Sequence, residues 1–171
     1  AVDGTAAIVE FPGVLYRGAA EAKIRQYLVE NNYIDAVIQL PADLFFGTTI
    51  GTCIIVFKKS KQDNSVLFVD ASKQFVREGN KNKLSAENQE MILETLAKRA
   101  DVDHVAALVG ADAIRENGFN LSVSSYVEAE DTREEVDIVE LNARIKEIVE
   151  RQAVLRASID EIVADLEGGA Q

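Results

Sequence analysis

A chain of 171 residues, 47% hydrophobic and 27% charged, is long enough for one or two domains with a buried core. No apolar run approaches the roughly 18 residues of a membrane helix, and no secretory signal is visible, so no membrane contact and a cytoplasmic location are expected. The formal charge of −11, from 18 basic and 29 acidic residues, opposes an extensive nucleic-acid footprint on this chain itself. A single cysteine, Cys53, excludes an internal disulfide, suits a reducing cytosol and reads as a small buried packing residue. A single histidine, His104, with no cysteine cluster argues against a zinc-type metal site. The chain begins at Ala1, and its only methionine is Met91; a piece of a longer protein is expected, although processing also removes initiators.

Gly4 to Glu10 reads as a first strand, and Phe11 to Gly18 as a loop. A helix follows from about Ala19 to Glu30, with Ile24, Tyr27 and Leu28 at helical spacing and Asn31-Asn32 at its end. Ile34 to Leu40 is an apolar run that Pro41 stops, because proline cannot donate to a sheet ladder. Strand, helix, strand predicts two parallel strands. Thr52 to Phe57 is a β-branched run ended by Lys58 and Lys59, and its short connection predicts an antiparallel strand at the end of the sheet. Ser65 to Asp70 gives a fourth strand, expected as the return limb of a hairpin or an edge addition.

Ser85 is the expected N-cap of a helix reaching about Arg99, with Met91, Ile92 and Leu96 on its buried side. Val105 to Val109 is ambiguous. Ala111 to Asn117 looks like a brief helix stopped by Gly118, and Phe119 to Val123 alternates like a short strand or extended segment. Thr132 and Glu135 form a capping box before a sustained heptad seam of Ile138, Leu141, Ile145, Ile148, Gln152, Leu155, Ile159, Ile162 and Leu166. One polar seam position, Gln152, would fix register. The seam predicts either docking on a partner helix, including self-association, or packing back on the chain's own domain. The expected division is 1–72, an α/β unit; 73–130, a mostly helical extension; and 131–168, the long helix.

Ligands bind at the carboxyl ends of strands in such sheets, where the loops Phe11 to Gly18 and Leu40 to Thr49 are expected to share one rim. The second loop sets Phe45 and Phe46 beside Gly47, Thr48 and Thr49, which calls for a pocket or a core seam; Asp43 beside the two rings could orient a base. Gly13 and Gly18, with Arg17 beside them, form either a phosphate cradle or a plain tight turn. Lys73, Arg77, Lys81 and Lys83 face only Glu78 within 73–83, whereas 128–140 holds seven acids. The basic stretch is either a phosphate contact or a solvated loop.

Gly13-Val-Leu-Tyr-Arg-Gly18, Ala22-Lys-Ile-Arg25, Ile34-Asp-Ala-Val-Ile-Gln-Leu-Pro41, Leu44-Phe-Phe-Gly-Thr48, Thr52-Cys-Ile-Ile-Val-Phe-Lys58 and Val69-Asp-Ala-Ser72 occur in this order. With Asn117-Gly-Phe-Asn-Leu121 and Tyr126-Val127, they closely resemble the modification subunit of type I restriction-modification systems. The resemblance implies the carboxyl-terminal part of an adenine N6 DNA methyltransferase that uses S-adenosylmethionine, with a Rossmann-like α/β sheet followed by a long helix. It implies a target-base pocket at Phe45, Phe46 and Thr48, while the glycine loop and the basic stretch themselves give Arg17, Lys73, Arg77 and Lys81 as the expected phosphate contacts. DNA, a sequence-recognition subunit and a restriction subunit are the implied partners. Gly51 and Ser124-Ser125 depart from the family, which often has proline and Pro-Arg there. The only prolines, Pro12 and Pro41, stand apart, so the family's Asn-Pro-Pro-aromatic motif is absent, as is its glycine-rich cofactor loop. No catalytic residue and no cofactor are therefore expected within this chain, which alone is expected to be inactive. Two readings compete with an enzyme part: an assembly module that works through its coiled coil, and an unrelated α/β enzyme with a pocket at Phe45–Thr49.

Overall fold

The computed structural model describes residues 3–130 and 137–168, so the expected capping pair Thr132 and Glu135 lies outside the described residues. The chain divides into two units, Ala1–Glu130 and Asp131–Gln171. The first carries, in order, β1 (Thr5–Glu10), a 3-10 turn (Pro12–Leu15), α1 (Ala20–Glu30), β2 (Ile34–Gln39), β3 (Cys53–Lys58) and β4 (Ser65–Asp70). There follow β5 (Val76–Glu78), β6 (Lys81–Lys83), α2 (Ala86–Lys98), β7 (Ala106–Gly110), α3 (Ala111–Glu116) and a second 3-10 turn (Val123–Ser125). Residues 73–130 thus hold two helices, a small ribbon of β5 and β6, and one strand of the main sheet.

The main sheet has the order β1-β3-β2-β4-β7. β1 and β2 run in one direction, as the strand-helix-strand pattern predicts, but they do not touch. β3 lies between them, antiparallel to both, with Ile8 opposite Ile55 and Val37 opposite the same residue on the other side. The antiparallel β3 is therefore interior rather than terminal. The expectation for Ser65 to Asp70 is corrected more fully. β4 pairs parallel with β2, Val37 opposite Phe68, and antiparallel with β7, so it is neither a hairpin limb of β3 nor an edge strand. The reason lies in its burial: Val66, Leu67, Phe68 and Val69 are all buried, and a strand with two apolar faces needs cover that an edge does not supply. The ambiguous Val105–Val109 stretch forms the far edge as β7.

Alternation sorts the side chains into two layers. One layer gathers Val37, Cys53, Ile55, Val66 and Phe68 with Leu15, Val29, Ile114, Leu121 and Val123, beneath α1 and α3. Ile34 joins it because a register irregularity between Ile34 and Ala36 shifts the pleat by one residue. The Phe68 ring stacks on Tyr126, centroids 4.2 Å apart. The other layer gathers Ala36, Ile38, Leu40, Leu67 and Val69 with Met91, Ile92 and Leu96 of α2. That helix has the expected boundaries and side: Ser85 caps it reciprocally with Asn88, and Arg99 closes it in a left-handed conformation.

α1 is rotated from its expected face. Ile24 and Tyr27 are exposed, while Arg25 and Val29 are buried and Leu28 is partly covered. The Arg25 guanidinium explains the rotation. It donates from Nε to Phe119 O and from Nη1 to Val14 O, both at 2.9 Å, and so ties the helix to two loops. Burial lowers its pKa, against the opposing influence of Glu21. Phe119 to Val123 is irregular rather than a strand, because Phe119 takes a positive φ of 58° and Val123 opens the second 3-10 turn.

In the second unit, α4 (Ile138–Gly168) spans 31 residues, about 46 Å at a rise of about 1.5 Å each. The Asp137 carboxylate caps its first turn, accepting from Val139 N–H at 2.8 Å. Its apolar seam is open to solvent: Leu141 is 46% exposed and Ile148 65%.

Candidate functional site

The strand directions decide where a site can form. β1, β2 and β4 share one orientation, so their carboxyl ends open onto a common rim. The loops that leave β1 and β2 meet there, as the sequence predicts. Glu10, Phe11, Pro12, Gly13, Val14, Tyr16, Arg17 and Ile50 line a cavity of about 500 Å³. Phe11, Tyr16 and Ile50 stand half or more exposed around it.

The loop after β2 is closed at its base by Leu40 N–H, which donates to Thr52 O at 2.8 Å, and by Gln39 Nε2, which donates to the same carbonyl. Pro41 is fully buried and Leu44 packs against the α2 layer. Beyond that anchor the chain turns outward. Asp43 adopts a φ of +58° and Gly47 one of +82°. For a residue with a Cβ, the left-handed region costs of order 1 kcal/mol and persists where the surroundings over-determine it. Phe45 is 42% exposed and Phe46 is 100% exposed. Thr48 is half-buried, and its Oγ1 accepts from Ile50 N–H at 3.1 Å. Of the alternatives for the paired rings, the structure places them at the surface rather than in a core seam.

The four cations expected at phosphates occupy different settings. Arg17 is exposed, pairs with Glu21 at 3.8 Å, and lies over Gly13, where an added Cβ would stand 2.7 Å from the guanidinium carbon. Lys73 is exposed and pairs with Glu130 at 3.8 Å. Arg77 and Lys81 turn toward the loop instead. Arg77 Nη1 lies 3.0 Å from Asn82 Oδ1 and 3.5 Å from Asp43 Oδ2. Lys81 Nζ donates to Phe45 O and Thr48 O, each at 3.2 Å, with Asp43 Oδ1 at 3.9 Å. Asn82, a residue that sequence reasoning passed over, is nearly buried; its Nδ2 donates to Ala42 O at 2.8 Å and its N–H to Asp43 O at 3.1 Å. Phe11 and Tyr16 were also passed over. Their signal was the glycine-bracketed Phe11 to Gly18 loop itself.

Cys53 sits at the start of β3 beside this rim and is buried. Its Sγ donates to Glu10 O at 3.4 Å. Burial, reinforced by the Glu10 charge and partly offset by that hydrogen bond, pushes the thiol up to about 11. Cys53 is therefore a packing residue and not a nucleophile at neutral pH. His104 is exposed, with Nδ1 3.0 Å from Glu128 O. No group of three potential metal ligands occurs among the described residues, and none of the described helices is long and apolar enough to cross a membrane.

Comparison with known proteins agrees across sequence and fold. A family model described as N-6 DNA methylase matches residues 1–135. The methylase subunit of the type I restriction enzyme MpnII of Mycoplasma pneumoniae is 46% identical over 165 residues, covering 96% of this chain and 30% of the relative. The MjaVIII methylase subunit of Methanocaldococcus jannaschii is 35% identical over 167 residues, covering 92% of this chain and 29% of the relative. The chain thus spans about a third of the length of the relatives it matches. The crystal structure of the type I restriction-modification methyltransferase subunit from Streptococcus thermophilus superposes with a TM-score of 0.72 at 43% identity, over 73% of this chain and 27% of that one.

Proposed function

Because this chain belongs to the N-6 DNA methylase family, we propose that it supplies the target-base side of a type I restriction-modification methyltransferase subunit that acts on adenine N6. The observation that carries this reading is the placement of Phe45 and the fully exposed Phe46 on a braced loop at the carboxyl rim. A ring kept in water at such a rim has no packing role, yet it offers a face to a base extruded from the duplex. Thr48 closes the same turn. Arg17 and Lys73, both with exposed side chains, are the cations best placed to reach phosphate oxygens.

S-adenosylmethionine is the methyl donor proposed for the full-length subunit, on family grounds. Two features of the described residues support placing its site elsewhere. Pro12 and Pro41 are isolated, and the space over Gly13 is taken by the Arg17 side chain. The donor and the acceptors that hold the adenine amino group are assigned to chain outside residues 1–171. This polypeptide alone is expected to transfer no label from the donor to DNA; turnover would refute the assignment.

The test of the base-side reading uses the full-length subunit assembled with its sequence-recognition subunit. A duplex carrying 2-aminopurine at the target adenine reports the extruded base. Phe45→Ala or Phe46→Ala is expected to weaken binding of the extruded base about tenfold, in keeping with the ~1–3 kcal/mol of a base-aromatic stack. An unchanged signal in both variants would overturn the reading.

The open seam of α4 favours a second, compatible role in assembly. Ile145, Ile148, Leu155 and Ile159 are all exposed at heptad spacing, which suits a helix of the sequence-recognition subunit or a second copy of this helix. The restriction subunit would join through that complex. Sizing the chain with and without 132–171 tests self-pairing: an unchanged monomer in both counts against it.

A further inference from the structure

The ribbon of β5 and β6 has three residues per strand, and its one buried residue is a polar one, Asn82. Nothing in its own composition gives it a reason to fold. Its inward donors all go to the loop after β2. Asn82 takes the carbonyls of Ala42 and Asp43, and Lys81 takes those of Phe45 and Thr48. Four loop carbonyls are therefore held from one ribbon, on both sides of the left-handed Asp43 and of Gly47. Arg77 stiffens the brace through its bond to Asn82 Oδ1. Phe46 touches no packing surface that could fix its ring, so its position follows from the loop backbone alone.

We propose that Lys81 and Asn82 are positioning residues that lock residues 42–48 in the conformation presenting Phe45 and Phe46 to the target base. The proposal rests on the base-side reading above and adds residues to it. It also reassigns Lys81. An ammonium shared between two carbonyls and flanked by Asp43 is turned into the protein, so it contributes little to phosphate binding. A cation that does contact phosphate adds about 0.9 to the slope of log affinity against log salt.

The experiment uses the full-length subunit with its sequence-recognition subunit, comparing Lys81→Met, Lys81→Arg and Asn82→Ala, with Arg17→Met as the phosphate control. Hydrogen exchange of the amides of 43–50 reads the lock directly. The fluorescence of 2-aminopurine at the target position reads its consequence, and the salt slope reads phosphate contact. Lys81→Met is expected to speed exchange in 43–50 at least tenfold, to lower the flipped-base signal several-fold and to leave the salt slope unchanged. Lys81→Arg, which keeps two donors, restores both signals. A slope lowered by about 0.9 with exchange unchanged would overturn the proposal in favour of a phosphate contact. Unchanged exchange in both Lys81→Met and Asn82→Ala would overturn it outright, and Asn82 guards against a single variant being silent. Faster exchange with an unchanged fluorescence signal would uphold the lock and overturn the base-side reading beneath it.

Discussion

The two ends of the main sheet are built on opposite plans. At the amino end of β2 and β4, charge is saturated. Arg99 bonds Asp35 Oδ1 at 2.7 Å and lies 3.5 Å from Asp63, and Lys61 donates to Ile34 O and Ser65 O. That network ties β2, β4 and the end of α2 into one body. At the carboxyl end, rings stand in water around a cavity, and the polar groups hold a loop in place instead of closing a surface. On the base-side reading proposed above, the contrast separates stability at one end from recognition at the other. Changes at the amino end are therefore expected to cost more stability than changes at the carboxyl rim.

Removing Arg99 should have the largest effect on this division. Arg99→Met leaves Asp35, 19% exposed, without its partner, and is expected to cost about 2 kcal/mol in urea unfolding, because lost charge-assisted bonds and an unpaired carboxylate add together. A cost below about 0.5 kcal/mol would mean that the amino end is not the stabilising one.

The Cys53 thiol gives a smaller effect that is resolved by pH. Its folded pKa of about 11 lies above the ordinary thiol value, so the folded state binds the proton more tightly. Its contribution is fully present below the unfolded pKa and is lost as pH rises toward 11. Lys61, whose pKa burial lowers, acts in the opposite sense, so the comparison is with Cys53→Ala. The difference in unfolding free energy between the two proteins should shrink above pH 9, by at most about 1.4 kcal/mol per pH unit. A parallel pair of pH curves would show that the thiol is not shielded.

Phe46→Ala sharpens the contrast from the other end. A side chain that is 100% exposed should cost no more than about 0.5 kcal/mol of stability, even where extruded-base binding falls. A large loss in the urea midpoint would put Phe46 back into the core.

The residues that could be read from sequence are those whose local pattern is also their global role. β2 and β3 are short runs rich in isoleucine and valine, and Ser85 starts α2 through a bond only three residues away. Pairing is not local. Nothing in Ser65 to Asp70 says that its partner is β2 and not β3, the strand before it in the sequence, and a buried run reads alike in either arrangement. The face of α1 was misread for a related reason. Ile24 is the better hydrophobe, but Arg25 reaches two loop carbonyls that only the tertiary fold brings within range. At the rim, the aromatic pair was legible from its adjacency to Gly47, and the shared edge followed from topology. The ribbon that braces them was not legible as a brace. Six short-strand residues rich in charge look like solvent-facing loop until the carbonyls they bind are seen.

β1 is hydrogen-bonded on one side only among the described residues, and Ile8 and Val9 on it are 44% and 49% exposed. A six-residue ribbon margin with open amide groups and apolar flanks is a template for adding another extended segment. Purified at high concentration, the isolated polypeptide should therefore be prone to sticky, concentration-driven clumping that mild denaturant relieves. A lysine placed at Ile8 should improve its shelf life without touching the rim.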